Sequence, residues 1–305
     1  MLTTTELVSR RTAPNLAEPL SRTSGKPELS EIVVFTDNRS DAASMVEFAG
    51  LLAEDYVARL IDVFIEPAPA ITSPQTFARG TLMQEVIETR QSKLESIEGH
   101  HRARFDKVVR RHGIPSAEWR SLSHWSTEVA VHAYYADLVV VARPQHIDET
   151  LNRSSLAESL ISSSGRPIIL FPPNHKASRV RRILLGWNAT RESIRAVADA
   201  LPLLARADTV EILIVDSQHQ RERHGQEPGA DIARHLLLHG AKVDIQLLSS
   251  GGQDVGRVLL SQAAAFGADL LVMGAYSHAK LQEWIFGGVT RTVLYQADLP
   301  VLMSR

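Results

Sequence analysis

The feature that most constrains this chain is an order of elements that runs through once, breaks, and starts again. Apolar, β-branched runs alternate with helical segments from about residue 31 to residue 171. A polar break follows at Pro172-Pro173-Asn174-His175-Lys176-Ala177-Ser178, and then the alternation resumes. Continuous apolar runs fit parallel strands buried on both faces, and strands alternating with helices build doubly wound sheets. In the first half the pattern predicts strands at 31–37, 59–65, 117–122, 137–142 and 167–171 and helices at 41–56, 82–112, 127–135 and 155–163. In the second half it predicts strands at 182–187, 210–215, 242–248, 269–274 and 300–303 and helices at 191–206, 231–239, 254–266 and 289–296. The fold class is therefore α/β, with two Rossmann-like domains that each carry a parallel five-stranded sheet.

The halves also match in sequence. Ala136-Asp137-Leu138-Val139-Val140-Val141 corresponds to Ala268-Asp269-Leu270-Leu271-Val272-Met273, 132 residues on. Pro167-Ile168-Ile169-Leu170 corresponds to Pro300-Val301-Leu302-Met303, 133 residues on. The opening stretches align Asp37 with Asn188, 151 residues on, so the first half is longer between its second and third strands. Three matches in one order indicate an internal duplication. The expected division is an N-terminal extension at 1–29, a first domain at 30–173, a linker at 174–180 and a second domain at 181–305. The extension is rich in Ser, Thr, Pro and scattered charge, which reads as flexible.

Composition removes several classes of function. The chain has no cysteine, which excludes disulfides, thiol catalysis and cysteine-ligated metal. A net charge of −2 offers no basic field for nucleic acid. No apolar run approaches the roughly 20 residues that span a bilayer, and the start lacks the apolar core of a secretory signal. The expectation is a cytoplasmic protein with neither a membrane nor a nucleic acid as partner.

The stretch richest in chemistry is LLVMGAYSHAKLQEWIFGGVTRTVL, residues 270–294. It reads as a strand, a glycine turn, a loop, and a Gly-Gly pair that opens a helix. Glycine permits close backbone approach, and a helix N-terminus offers free N–H groups to phosphate. Met273 and Gly274 end the strand, Ser277 and His278 begin the loop, and Gly287, Gly288, Val289 and Thr290 open the helix. This resembles the ATP-binding loop of the universal stress protein family, tandem-domain type. ATP-binding members carry a strand-ending Gly, two residues, Gly, nine residues, Gly, then Ser or Thr. Gly274, Ser277, Gly287 and Gly288 keep that spacing, with Ser277 in place of Gly and Gly288 in place of Ser or Thr. Thr290 falls at the motif's second hydroxyl position.

The resemblance implies further residues. Asn188 stands where ATP-binding members end their first strand with an Asp that meets adenosine, and Val215 ends the next strand, where backbone groups meet adenine. Asn188-Ala189-Thr190 also reads as a turn and helix cap. In the first half Asp37 is kept, but Ala142, Gln145, Ser154 and Ser155 replace the loop's glycine and serine positions. That half is expected to bind nothing or something different, with Arg143 and Arg153 as solvated surface residues. Ser249-Ser250-Gly251-Gly252-Gln253-Asp254 resembles the SGGxD loop of ATP pyrophosphatases, but it follows a third strand and ends in Val255. A turn with Asp254 capping the next helix is the expectation. His100, His101, His219, His224, His235 and His239 are read as surface histidines, with no metal site.

The resemblance implies a stress-response protein that binds ATP or another adenine nucleotide, with Mg²⁺, at no more than one site per chain. It would act as a sensor or regulatory module toward an unidentified protein partner. No catalytic residue is assigned, and the chain is not expected to be an enzyme. The alternatives are a nucleotide-free dimeric scaffold of the same fold, or an adenylating or hydrolytic enzyme. The family's last strands pair antiparallel across a dimer, so a tandem chain implies either that pairing inside one chain or a homodimer.

Overall fold

The computed structural model describes residues 28–39, 41–66, 81–122, 127–145, 155–220, 227–275 and 288–305. The first half runs β1 (Glu31–Thr36), α1 (Ala42–Tyr56), β2 (Arg59–Ile65), α2 (Thr81–Arg111), β3 (Ala117–Leu122), β4 (Leu138–Ala142), α3 (Leu156–Ser163) and β5 (Ile168–Phe171). The second half runs β6 (Arg182–Gly186), α4 (Arg191–Arg206), β7 (Thr209–Val215), α5 (Ala230–Leu238), β8 (Val243–Leu248), α6 (Val255–Phe266), β9 (Leu270–Gly274), α7 (Gly288–Gln296) and β10 (Val301–Ser304). Residues 1–27 of the expected extension lie outside the described residues.

All ten strands join one sheet in the order β3-β2-β1-β4-β5-β10-β9-β6-β7-β8. Within each half every neighbouring pair is parallel. At the centre β5 and β10 run antiparallel, with Ile169 opposite Leu302. The two expected five-stranded parallel sheets are thus two halves of one sheet. The antiparallel pairing that the resemblance implied occurs inside this chain.

The strands at the seam are completely buried, and apolar except for Ser304, and side chains of successive residues point to opposite faces. Each face carries one core that crosses from half to half. One core holds Met45, Phe48 and Leu52 of α1, Phe105 of α2 and Leu203 of α4. The other holds Leu160 of α3, Leu259 of α6 and Val293 of α7. Each fully buried large apolar side chain stabilises by about 1.5–3 kcal/mol.

Local signals explain the helix starts. Ser155 and Glu158 form a capping box on α3, as Thr190 and Ser193 do on α4. Asp254 caps α6 as expected, its carboxylate accepting from Arg257 N at 3.0 Å. The segment expected to be helical at 127–135 is instead a 3₁₀ helix, Thr127–Ala133. Thr127, Val129 and Val131 are β-branched and disfavour α-turns, and Tyr134 N closes an i→i+3 bond to Val131 O at 3.3 Å.

Polar contacts also tie the halves. Tyr56 Oη donates to Pro202 O at 2.9 Å, and the Arg206 guanidinium lies 4.6 Å over the Tyr56 ring. Residues 172–181 hold neither helix nor strand, yet Arg179 anchors the segment to α1 through Asp55 and Glu54.

Candidate functional site

In each half the chain's first strand lies between its second and its fourth. In the second half, β6 has β7 on one side and β9 on the other. The connections leave β6 and β9 in opposite directions, which opens a crevice beyond their carboxyl ends. Open α/β sheets bind ligands at such switch points. The residues around this crevice are Trp187 and Asn188 after β6, Val215 and Asp216 after β7, and Gly274 and Ala275 at the end of β9.

The turn after β6 is tightly made. Asn188 Oδ1 accepts from Thr190 N at 3.3 Å and from Thr190 Oγ1 at 2.9 Å. Ala189 between them has φ +53°, a conformation that favours glycine. Thr190, rather than Asn188, is the α4 cap. Because its oxygen is committed to the turn, Asn188 has its amide N–H₂ as the group to offer a ligand. After β7, Asp216 has φ +55°, and its carboxylate accepts from Ser250 N at 2.8 Å. Two non-glycine residues in the left-handed region therefore flank the crevice. Such strain persists where surrounding structure holds it, often at functional sites. Val215 is half-buried at the end of β7.

Gly274, at the edge of the crevice, is also required by packing. A Cβ there would fall 2.5 Å from Glu192 C and 2.6 Å from Ser193 N. The space that a side chain would need is taken by the first turn of α4, not left for a ligand. Met273 beside it is buried in the core. Gly288, at the start of α7, is the opposite case. Among the described residues, an added Cβ would meet only Asp254 Oδ2, at 3.6 Å. Val289 is half-buried, and Thr290 is buried at 5% exposure, so its side chain faces inward from the helix start. Gly256 of α6 packs closely on α7, since a Cβ there would meet Thr292 Cβ at 2.7 Å. Ser277, His278 and Gly287 lie outside the described residues. The structure thus brings Asn188, Val215 and Gly274 to one crevice and sets Gly288 at the open start of α7.

The first half has the same strand order but different chemistry. Asp37 accepts from its own turn, from Arg39 N at 3.0 Å and Arg39 Nε at 2.9 Å. Arg143 is not a solvated surface residue: it is 8% exposed, and its guanidinium donates to the carbonyls of Pro144 and Tyr295. Arg153 lies outside the described residues. His101 is likewise buried, its ring 4.5 Å from that of Phe64, because α2 presses this face onto β2. His235 and His239 are exposed and pack edge to face, centroids 4.7 Å apart.

The sequence reading missed Asp62. It sits in β2 at 1% exposure, with Thr36 Oγ1 donating to Oδ1 at 2.7 Å. Its Oδ2 is buried with no partner among the described residues. Burial pushes its pKa up to about 7, against the opposing pull of the Thr36 hydrogen bond and of Arg104. The available signal was one acid within an otherwise apolar stretch, Leu60-Ile61-Asp62-Val63-Phe64. On one of its faces this strand was not expected to carry charge.

Among the described residues no helix is long and apolar enough to cross a membrane. Residues 179–305 match the model of the universal stress protein family. No curated protein matches the chain. A universal stress protein from Archaeoglobus fulgidus DSM 4304 superposes with a TM-score of 0.65 at 14% identity, covering 90% of this chain and 98% of that one. A functionally unknown protein from Pseudomonas aeruginosa PAO1 superposes with a TM-score of 0.55 at 13% identity, covering 90% of this chain and 92% of that one. These likenesses span both halves and concern the fold. The second half of the chain is thus similar to the universal stress protein family over residues 179–305, and the first half repeats the strand order of that domain.

Proposed function

We propose that the second half binds an adenine nucleotide, with ATP and Mg²⁺ as the working ligand, and serves as a sensor or regulatory module in stress response. The observation that carries this is the open start of α7 at Gly288, beside a switch-point crevice whose turns hold Asn188 and Asp216. Phosphate at that helix end would meet free N–H groups and the positive end of the helix dipole. Asn188 would meet the nucleoside. Glycine spacing across 274–288 and the family match over 179–305 both support the reading. Two carboxylates beside the crevice and the start of α7, Asp216 and Asp254, are already engaged by backbone N–H groups. That engagement favours holding a ligand over hydrolysing it, so we propose a binding protein rather than an enzyme, acting in the cytoplasm.

Melting the protein with ATP, ADP and GTP tests this. A ligand at 100 times its Kd adds about 2.7 kcal/mol to stability. A rise confined to the adenine nucleotides is expected, and no rise with any of them contradicts the reading.

One observation favours the nucleotide-free scaffold. Asp254 Oδ2 lies close to the start of α7, where its charge already complements the helix end. Asp254→Asn separates the two readings, because Asn keeps the α6 cap and loses the charge. A charge near a helix end contributes about 0.3–1 kcal/mol. The variant is expected to bind Mg²⁺-free ATP about threefold more tightly by dialysis; unchanged affinity would put the phosphates elsewhere.

A further inference from the structure

The helix whose start opens toward the crevice is held at its other end by the first half. Tyr295 lies in the last turn of α7, where carbonyl groups have no partner inside the helix. The buried Arg143 guanidinium, from the end of β4, donates to Tyr295 O. A cation at a helix C-terminus also complements the dipole. The Tyr295 hydroxyl donates to Glu158 Oε1 at 2.7 Å. Glu158 is 5% exposed, and its other oxygen accepts from Ser155 N at 2.6 Å within the α3 capping box. Tyr295 is thus gripped through its carbonyl and its hydroxyl by two elements of the other half.

Among the described residues the grip has no counterpart in the reverse direction. By the internal repeat, Tyr295 corresponds to Ser162, Glu158 to Arg291 and Arg143 to Ala275. Ser162 turns its hydroxyl back to Glu158 O in its own helix, at 2.8 Å. Ala275 has no donor in its side chain. The half that has lost the loop glycines holds the helix of the half that keeps them. At nine residues α7 is too short to be stable alone and takes its position from its contacts.

We propose that Arg143 and Glu158 of the first half are positioning residues for the second-half ligand site, acting through Tyr295 on α7. The ligand role rests on the nucleotide reading above; the mechanical role does not. It gives the first half a task that its own loop residues do not supply.

Tyr295→Phe removes only the hydroxyl, and Arg143→Met removes only the guanidinium, so both are expected to fold. The test is the ATP Kd of each by calorimetry, together with amide hydrogen exchange of the ligand-free proteins. Loss of one such hydrogen bond weakens what depends on it by about three- to tenfold. Tyr295→Phe is expected to bind ATP about fivefold more weakly, with faster exchange in α7 and unchanged exchange in β6 and β7. Arg143→Lys is expected to recover part of what Arg143→Met loses. Wild-type affinity and wild-type α7 exchange in both variants would overturn the proposal. If the wild-type protein binds no ATP, the nucleotide reading fails and exchange alone decides. Faster α7 exchange then upholds the positioning role, and unchanged exchange overturns it.

Discussion

Asp62→Asn is expected to stabilise the protein at pH 8 and to leave its stability nearly unchanged at pH well below 3.8, where Asp62 is protonated in both states. Asp62 is fully buried, and its folded pKa stands near 7 against an ordinary value of 3.8. Between those values the folded protein keeps a proton that the unfolded chain releases. The free energy of unfolding therefore falls as pH rises through that window, and the penalty is complete above about pH 7. A three-unit displacement corresponds to roughly 4 kcal/mol, and relaxation around the charge reduces what is measured. The variant should gain about 2–4 kcal/mol at pH 8, by denaturant melts. Asn keeps an oxygen for Thr36 and never ionises. Burial holds His101, His132 and His175 below their usual pKa, so their contributions fall as pH drops through 6.5 and below. They run the opposite way, and they cancel in the difference between variant and wild type. A difference that stays flat from pH 4 to pH 8 would refute the assignment of a buried, titrating Asp62.

The second large effect separates two glycines that one motif treats alike. Gly274→Ala places a methyl group 2.5–2.7 Å from backbone and Cβ atoms of Glu192 and Ser193. Backbone at a helix start does not yield as a flexible side chain does. Overpacking of this kind costs about 1–3 kcal/mol and occasionally more, and this site belongs at the upper end. Gly288→Ala meets one carboxylate oxygen at ordinary contact distance. It is expected to lie within about 0.5 kcal/mol of wild type, since exposed substitutions without a clash do little. Equal losses at both positions in urea melts would contradict the packing described.

Much of the fold was legible in the sequence because its strands are buried on both faces. Runs such as 32–35 and 270–274 have no polar side chain to blur them, so length and composition place their strands within a residue of the structure. The segment at 127–135 reads as an α-helix because a short helical stretch between two strands does not by itself separate α from 3₁₀ geometry. Arg143 and His101 were misread for another reason. Long polar side chains default to the surface, and only tertiary contacts show that α7 and β2 come to meet them. The site was legible as a spacing of glycines. Spacing did not show that Gly274 serves packing as well, which emerges only with α4 seen against it. Nor did it show Asp62 or the Tyr295 contacts, which join residues 26 and 137 positions apart.

The central claim is that an adenine nucleotide binds at the start of α7. Isothermal titration of wild type and Gly288→Val with ATP and Mg²⁺ tests it most directly. Among the described residues, a Cβ at this position meets only Asp254 Oδ2 at 3.6 Å, and a Val side chain there would cover the helix N-terminus. The account predicts saturable binding near one ATP per wild-type chain and at least a tenfold loss in the variant, with its melting temperature unchanged. Equal binding by both proteins, or no heat from wild type at millimolar ATP, would contradict it.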